Sequence, residues 1–305
     1  MRLTHAAALL AIAAAPVAAR DLSATPATLA GAFDRAAGGD RIVLAPGSYD
    51  PLTLRHRRWS PAVTVEAGPA TLRSVRLEDV SGLTWHGGSF DGGDAERFGI
   101  GVDVADHLTI DGVTLRHFTR VGIGLGSVSD ARIVNNTITD SGSDGIDVAL
   151  SRRIVLDHNR CADFHPTPGA HPDCIQMWSR PTVPPTADIT ISNNEAIGDM
   201  QGFTMFNHAR PDKTGRTVDD GGFDRVTIDN NTAKVTTWWG VGAYDCRACI
   251  VRHNRVETLP GAADPRIRAW IKLVRGDATT CDNRARDSTV PTEREPCRDG
   301  RDRDD

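Results

Sequence analysis

Two short segments concentrate side chains that move protons or carry charge: Ser143-Asp144-Gly145-Ile146-Asp147 and His171-Pro172-Asp173-Cys174-Ile175-Gln176. Gathered carboxylates can do either of two things. They can hold a hard cation such as calcium, which takes several oxygen ligands, and Asp144, Asp147 and Asp173 are the candidate ligands. Alternatively, their mutual repulsion separates their pKa values and leaves one as acid and another as base. His171 is the natural base, because an unperturbed imidazole titrates near 6.5. Aspartates also cap tight turns with no chemical role. What decides between these uses is whether the side chains are neighbours in space.

A repeat places them. An apolar residue, two turn residues and then asparagine recur at Ile133–Asn136, Leu156–Asn159, Ile191–Asn194, Ile228–Asn231 and Val251–Asn254. Trp85 and Ile110 extend the apolar anchors backward, and Cys281 extends them forward. The regular step is 23 residues, as from Ile133 to Leu156. A fixed period of this size implies stacked coils, each a single supersecondary unit. Three short strands fit each coil. In one regular coil they are 145–149, 154–156 and a strand from Arg160, with Asp157, His158 and Asn159 turning between the last two. Asparagine suits that turn because it tolerates left-handed backbone, and stacked amides can bond one another along the axis.

Aligned on this ruler, Ile100, Ile123, Ile146, Ile175, Phe203, Val241 and Ile271 face inward from the first strand of their coils. The next residue faces outward, giving the column Gly101, Gly124, Asp147, Gln176, Thr204, Gly242 and Lys272. Two residues further on come Trp178, Phe206 and Tyr244, aromatic faces suited to sugar rings. The turn column runs Asp144, Asp173, Gln201, Trp239, Ala269. Coils stack about 4.8 Å apart, so Asp144 lies over Asp173. With Asp147, His171 and Gln176 beside them, these are the candidate catalytic residues. Insertions lengthen the turns before Cys174, after Met177, after Phe206 and before Ile271, on the same coils. Long turns beside one polar face build the walls of a groove, the shape a polymer site needs. His208 is a second candidate base. Arg210, Lys272 and Arg275 are candidates to bind substrate carboxylates. Lys272 lies four coils from Asp147, about 19 Å along the axis.

The pattern resembles the right-handed parallel β-helix of the pectate lyase-like superfamily over residues 38–285. The segment Gly39-Asp40-Arg41-Ile42-Val43-Leu44-Ala45-Pro46-Gly47-Ser48-Tyr49 is similar to the opening strand of such helices. The Ala-rich stretch Pro26–Ala37 fits a helix that caps the first coil. The expected fold is all-β: a right-handed single-stranded parallel β-helix with an N-terminal capping helix and an internal Asn ladder.

Two families share pieces of the site. Polygalacturonases carry Asn-Thr-Asp-Gly-Ile-Asp, Asp-Asp-Cys, Gly-His-Gly and Arg-Ile-Lys. Here Asp144-Gly145-Ile146-Asp147, Asp173-Cys174 and Ile271-Lys272 match, whereas Pro172, Gln201-Gly202-Phe203 and Trp270 depart from that pattern. This resemblance implies an inverting hydrolase using Asp144 and Asp173. Family 9 pectate lyases carry an Asp-Asp-Gly-x-Asp calcium motif and a lysine base some coils on. Asp144 and Asp147 match two of those carboxylates, Ser143 replaces the first, and Lys272 corresponds to the lysine. This second resemblance implies β-elimination with calcium.

The net charge of -5 argues against a nucleic-acid binder, which usually carries a basic surface. Residues 1–19 read as an export leader: Arg2, an apolar run and small residues ending near Ala19. No later run approaches the ~20 apolar residues of a membrane span. The chain is therefore expected to be secreted or periplasmic. Six cysteines in an exported chain suggest disulfides, with Cys161 and Cys174, Cys246 and Cys249, and Cys281 and Cys297 as candidate pairs. Cys246-Arg-Ala-Cys249 also has the spacing of half a zinc site, but no second pair resembles it. The expected segments are leader 1–19, cap 20–37, β-helix 38–285 and tail 286–305.

These readings converge on a secreted enzyme that cleaves a uronate-containing polysaccharide or oligosaccharide, with β-elimination as first choice. Inverting hydrolysis and C5 epimerisation share parts of the same chemistry. A non-catalytic glycan-binding or adhesion β-helix is the alternative from another class.

Overall fold

Small and β-branched residues alternate along each repeat, and such stretches form strands. The computed structural model describes residues 19–179, 186–207, 222–285 and 287–288, and its strands stack in parallel, coil upon coil. A 15-stranded sheet wraps two faces of the coil and a 10-stranded sheet forms the third. In the outer coils one long strand, such as Phe98–Asp111 or Val121–Val134, bends around the corner between the first two faces. In the coils that carry the candidate site this strand breaks in two. The pieces are Ile146–Ala149 and Arg152–Asp157, Asp173–Ser179 and Thr186–Ser192, and Gln201–Asn207 and Phe223–Asp229.

The inward column forms as expected. Ile100, Ile123, Ile146, Ile175, Phe203, Val241 and Ile271 pair each with the next. None is more than 2% exposed. Between Asp144 and Ile146, position 145 must be glycine, because a Cβ there would sit 2.6 Å from the Cys174 carbonyl oxygen.

The cap differs from its expected extent. The helix covers only Leu29–Arg35, burying Leu29, Ala32 and Phe33, with the Phe33 ring 6.1 Å from that of Trp59. Ahead of it, Asp21–Ala24 already pairs with Arg41–Leu44, so the sheet begins before the cap. Asp40 closes this reversal: its buried carboxylate accepts from the Arg20 and Ala37 backbone N–H groups, at 3.0 and 2.9 Å.

The asparagines form the ladder. Asn136 donates to Asn159, Asn159 to Asn194, Asn194 to Asn231 and Asn231 to Asn254, at 2.9 to 3.0 Å. Each is buried. The left-handed backbone falls one residue earlier, on Asn135, His158, Asn193, Asn230 and His253. The ladder asparagines are thus selected for amide bonding in a dry interior, not for backbone conformation. Two expected registers shift by one residue. Val251 pairs with Thr280 instead of Cys281, after an irregularity between Cys246 and Cys249, and this brings Asn283 into the ladder. Trp239 pairs with Trp270 instead of Ala269 across a second irregularity.

Asn194 accepts from the N–H and side chain of Asn159 and donates to Leu156 O and Asn231. Asn194→Ala leaves these buried partners short and is expected to lower the unfolding free energy by about 3 kcal/mol. Asn135→Gly, at an exposed left-handed position, should change it by less than about 0.5 kcal/mol. Urea unfolding checks both, and equal losses would contradict a stabilising ladder.

Candidate active site

The loop that carries His171 is anchored before it begins. A Cys161–Cys174 disulfide, with Cα atoms 5.4 Å apart, joins the third strand of one coil to the first strand of the next. The residues between them form an inserted loop, with Phe164 buried beneath it. His171 sits at the end of this loop and is 72% exposed, while Asp173, two residues on, is 0% exposed.

The register brings the expected residues together. Asp147 pairs with Gln176, and Gln176 with Thr204, so three successive coils contribute one outward column. Asp144 Oδ1 accepts the Asp173 backbone N–H at 2.9 Å, and Asp144 Oδ2 accepts the Ser143 hydroxyl at 3.2 Å. Asp173 is the most fully bonded of the three carboxylates. Its Oδ2 accepts from Gln176 Nε2 at 2.7 Å and its Oδ1 from the Thr204 hydroxyl at 2.5 Å. His171 Nδ1 lies 3.8 Å from the same Oδ2, at ion-pair distance. Asp147 Oδ1 is buried with no hydrogen-bond partner.

Burial and crowding perturb all four titratable groups. Burial foremost, and then the charge of Asp173, raise the Asp144 carboxyl to about 6. Burial, reinforced by Asp144 and Asp173, pushes Asp147 well above the ordinary carboxylate range. Burial also raises Asp173, against the opposing contacts of His171, Thr204 and Gln176. The contact with Asp173 pushes His171 up to about 9. This contact favours the charged imidazolium of His171 over the neutral ring that a base requires.

A family model described as a right handed beta helix region matches residues 98–263. The chain belongs to this β-helix family. No curated protein matches it by sequence. Among solved structures, the β-helix is similar to an alginate lyase from Paenibacillus sp. str. FPU-7, with TM-score 0.50 and 18% identity over 85% of this chain and 99% of that one. It is also similar to the pectate lyase Pel9A, with TM-score 0.48 and 13% identity over 90% and 80% of the two chains. A third is the catalytic domain of a GH87 alpha-1,3-glucanase, with TM-score 0.47 and 13% identity over 91% and 61%. At 18% identity the likeness to the alginate lyase shows the fold alone.

The remaining candidates of the β-helix are placed as follows. Trp178 pairs with Phe206, and the Phe206 and Tyr244 rings stack at 5.7 Å and 23°. Lys272 lies on the same face, with its ammonium 5.4 Å from the Trp239 ring and 5.1 Å from that of Trp270. Arg275, 59% exposed, bonds Asp245 at 2.7 and 2.9 Å. His208, Arg210 and Cys297 lie outside the described residues, as do residues 1–18 of the expected leader. Cys246 pairs with Cys249, and Cys281 is also disulfide-bonded. Thr204, the hydroxyl partner of Asp173, has a place in the outward column that the sequence shows, but a hydroxyl gives no titratable signal that would mark it. Among the described residues no helix is long and apolar enough to cross a membrane.

The carboxylates do not fit the calcium expected of them. Calcium gathers about six to eight oxygens around one point. Here both oxygens of Asp144 and of Asp173 face N–H or O–H donors. Among the described residues no three His, Cys, Asp or Glu side chains converge as a ligand set.

A carboxyl whose pKa rises on folding binds a proton in the folded state, so its contribution to stability falls as pH climbs from the ordinary value toward the raised one. Asp147 has this sign, as do Asp144 up to about 6 and His171 up to about 9. The melting midpoint is expected to fall from about pH 5 to about pH 8, and Asp147→Asn should raise it at the upper end and flatten the slope. Differential scanning calorimetry of both proteins tests this, and a steeper slope in the variant would contradict it.

Proposed function

We propose that this β-helix is an exported enzyme that cleaves an acidic polysaccharide by β-elimination at the Asp144–Asp147–His171–Asp173 cluster. The observation that carries the reading is the exposed His171, held as a cation by the buried Asp173 beside an Asp144 carboxyl that is ionised at neutral pH. Elimination from a uronate needs a base at C5, a proton for the departing oxygen and relief of charge on the sugar carboxylate. In this reading Asp144 takes the C5 proton. The electrons of that C–H bond form the C4–C5 double bond as the C4–O4 bond breaks, and His171 gives its proton to O4. Asp147, kept neutral by burial, donates a hydrogen bond to the sugar carboxylate, as a carboxylic acid can when its site holds it protonated. Asp173 orients His171 and stabilises its charge. Gln176 and Thr204 hold Asp173 in place.

One observation favours a second reading. A protonated Asp147 beside an ionised Asp144 is also the acid–base split that an inverting glycosidase needs. The products separate the two. Ultraviolet absorbance of an unsaturated uronate together with new reducing ends means elimination, and reducing ends alone mean hydrolysis. A panel of acidic and neutral glycans should include alginate, the polymer named for the lyase that shares this fold. Absence of both signals across that panel would remove the enzymatic reading.

The pH profile of kcat/KM should be a bell. It rises with deprotonation of the carboxylate cluster near 6 and falls with deprotonation of His171 near 9. Asp144→Asn should lower kcat by about 10³-fold. A rate that keeps climbing above pH 9 would rule out His171 as the acid.

A further inference from the structure

Beyond the carboxylates, the same outward column ends in a second constructed surface. Trp239 lies across the sheet at Gly242, where an added Cβ would come within 3.2 Å of the indole. The Trp239 ring meets that of Trp270 edge-on, at 5.1 Å and 82°. Tyr244 flanks Trp239 at 5.6 Å and stacks on Phe206. All four rings keep partial exposure. Lys272 places its ammonium against both indoles.

Among the described residues the charge on this surface has no acidic partner. Arg225, Arg247, Arg252 and Arg275, on the same and adjoining coils, each pair with an aspartate. Lys272 forms no ion pair among the described residues. Flat, partly exposed aromatic faces suit sugar rings, and an ammonium held beside them complements an anionic group on the sugar. The register Asp147, Gln176, Thr204, Gly242, Lys272 places this surface on the same face as the carboxylates, about 19 Å along the axis.

We propose that Trp239, Trp270 and Lys272 form a remote subsite that binds an acidic sugar of the polymer several units from the bond cleaved. It rests on the glycan reading of the site. The subsite holds long chains along this face and gives them an advantage over fragments too short to reach both places. Binding energy at such a distance from the reacting bond acts on polymer affinity.

Affinity electrophoresis of the full chain tests this, using an Asp144→Asn background so that the polymer stays intact. The probes are alginate and polygalacturonate, with dextran as the neutral comparison. Retardation is expected in the two uronate gels and not in dextran. Lys272→Gln and Trp239→Ala should each weaken the apparent Kd about tenfold, and Lys272→Arg should retain it. Circular dichroism and melting midpoints show whether each variant is folded. Unchanged retardation in both folded variants overturns the subsite and leaves the cleavage reading standing. Loss in Trp239→Ala alone, or equal retardation by dextran, overturns recognition of an acidic sugar. No retardation of the parent protein by any probe overturns the subsite and the glycan reading together.

Discussion

The register between coils is the constraint on which the rest of this protein depends. In a parallel sheet, a slip of one residue moves every side chain of a strand to the opposite face. Here such a slip would turn Asp147 into the core and expose Ile146. The buried asparagines oppose it, because each amide bonds to the coils on both sides and would be left unpaired in a dry interior. A structural feature at one corner thereby sets which chemical groups are neighbours at another. The broken strands of the middle coils show the same division: the turns vary while the register holds.

Within that frame the site concentrates what a folded chain usually keeps apart. Three carboxylates share adjoining positions on two coils, and burial penalises the ionised form of each. The chain offsets part of this cost with specific donors: the Asp173 N–H and Ser143 for Asp144, and Gln176 and Thr204 for Asp173. Asp147 is left without such help at Oδ1. Unequal support is what separates the roles. The bonded Asp173 is suited to hold a cation, and the unsupported Asp147 is suited to hold a proton.

Much of this was legible in the residues. The 23-residue period located the coils, and the columns derived from it match the observed pairing from Ile100 to Ile271. Where the reading slipped, local irregularity was the cause. Asn283 and Trp270 entered their columns through register shifts that no periodicity reveals. The left-handed turn residue was assigned to the ladder asparagine, because asparagine favours both uses and only the structure separates them. The protonation of His171 departs from the ordinary imidazole value for a different reason. Its ordinary pKa suggests a base, but the buried carboxylate behind it favours the charged ring. That carboxylate owes its position to Thr204, 31 residues away in sequence, and no local motif carries the information.

The central claim is that the buried Asp173 holds the exposed His171 protonated. Its most direct test is an NMR titration of the His171 imidazole in the intact protein, assigned by comparison with His171→Gln. The account predicts an apparent pKa near 9. Titration at the ordinary imidazole value, about 6.5, would contradict it.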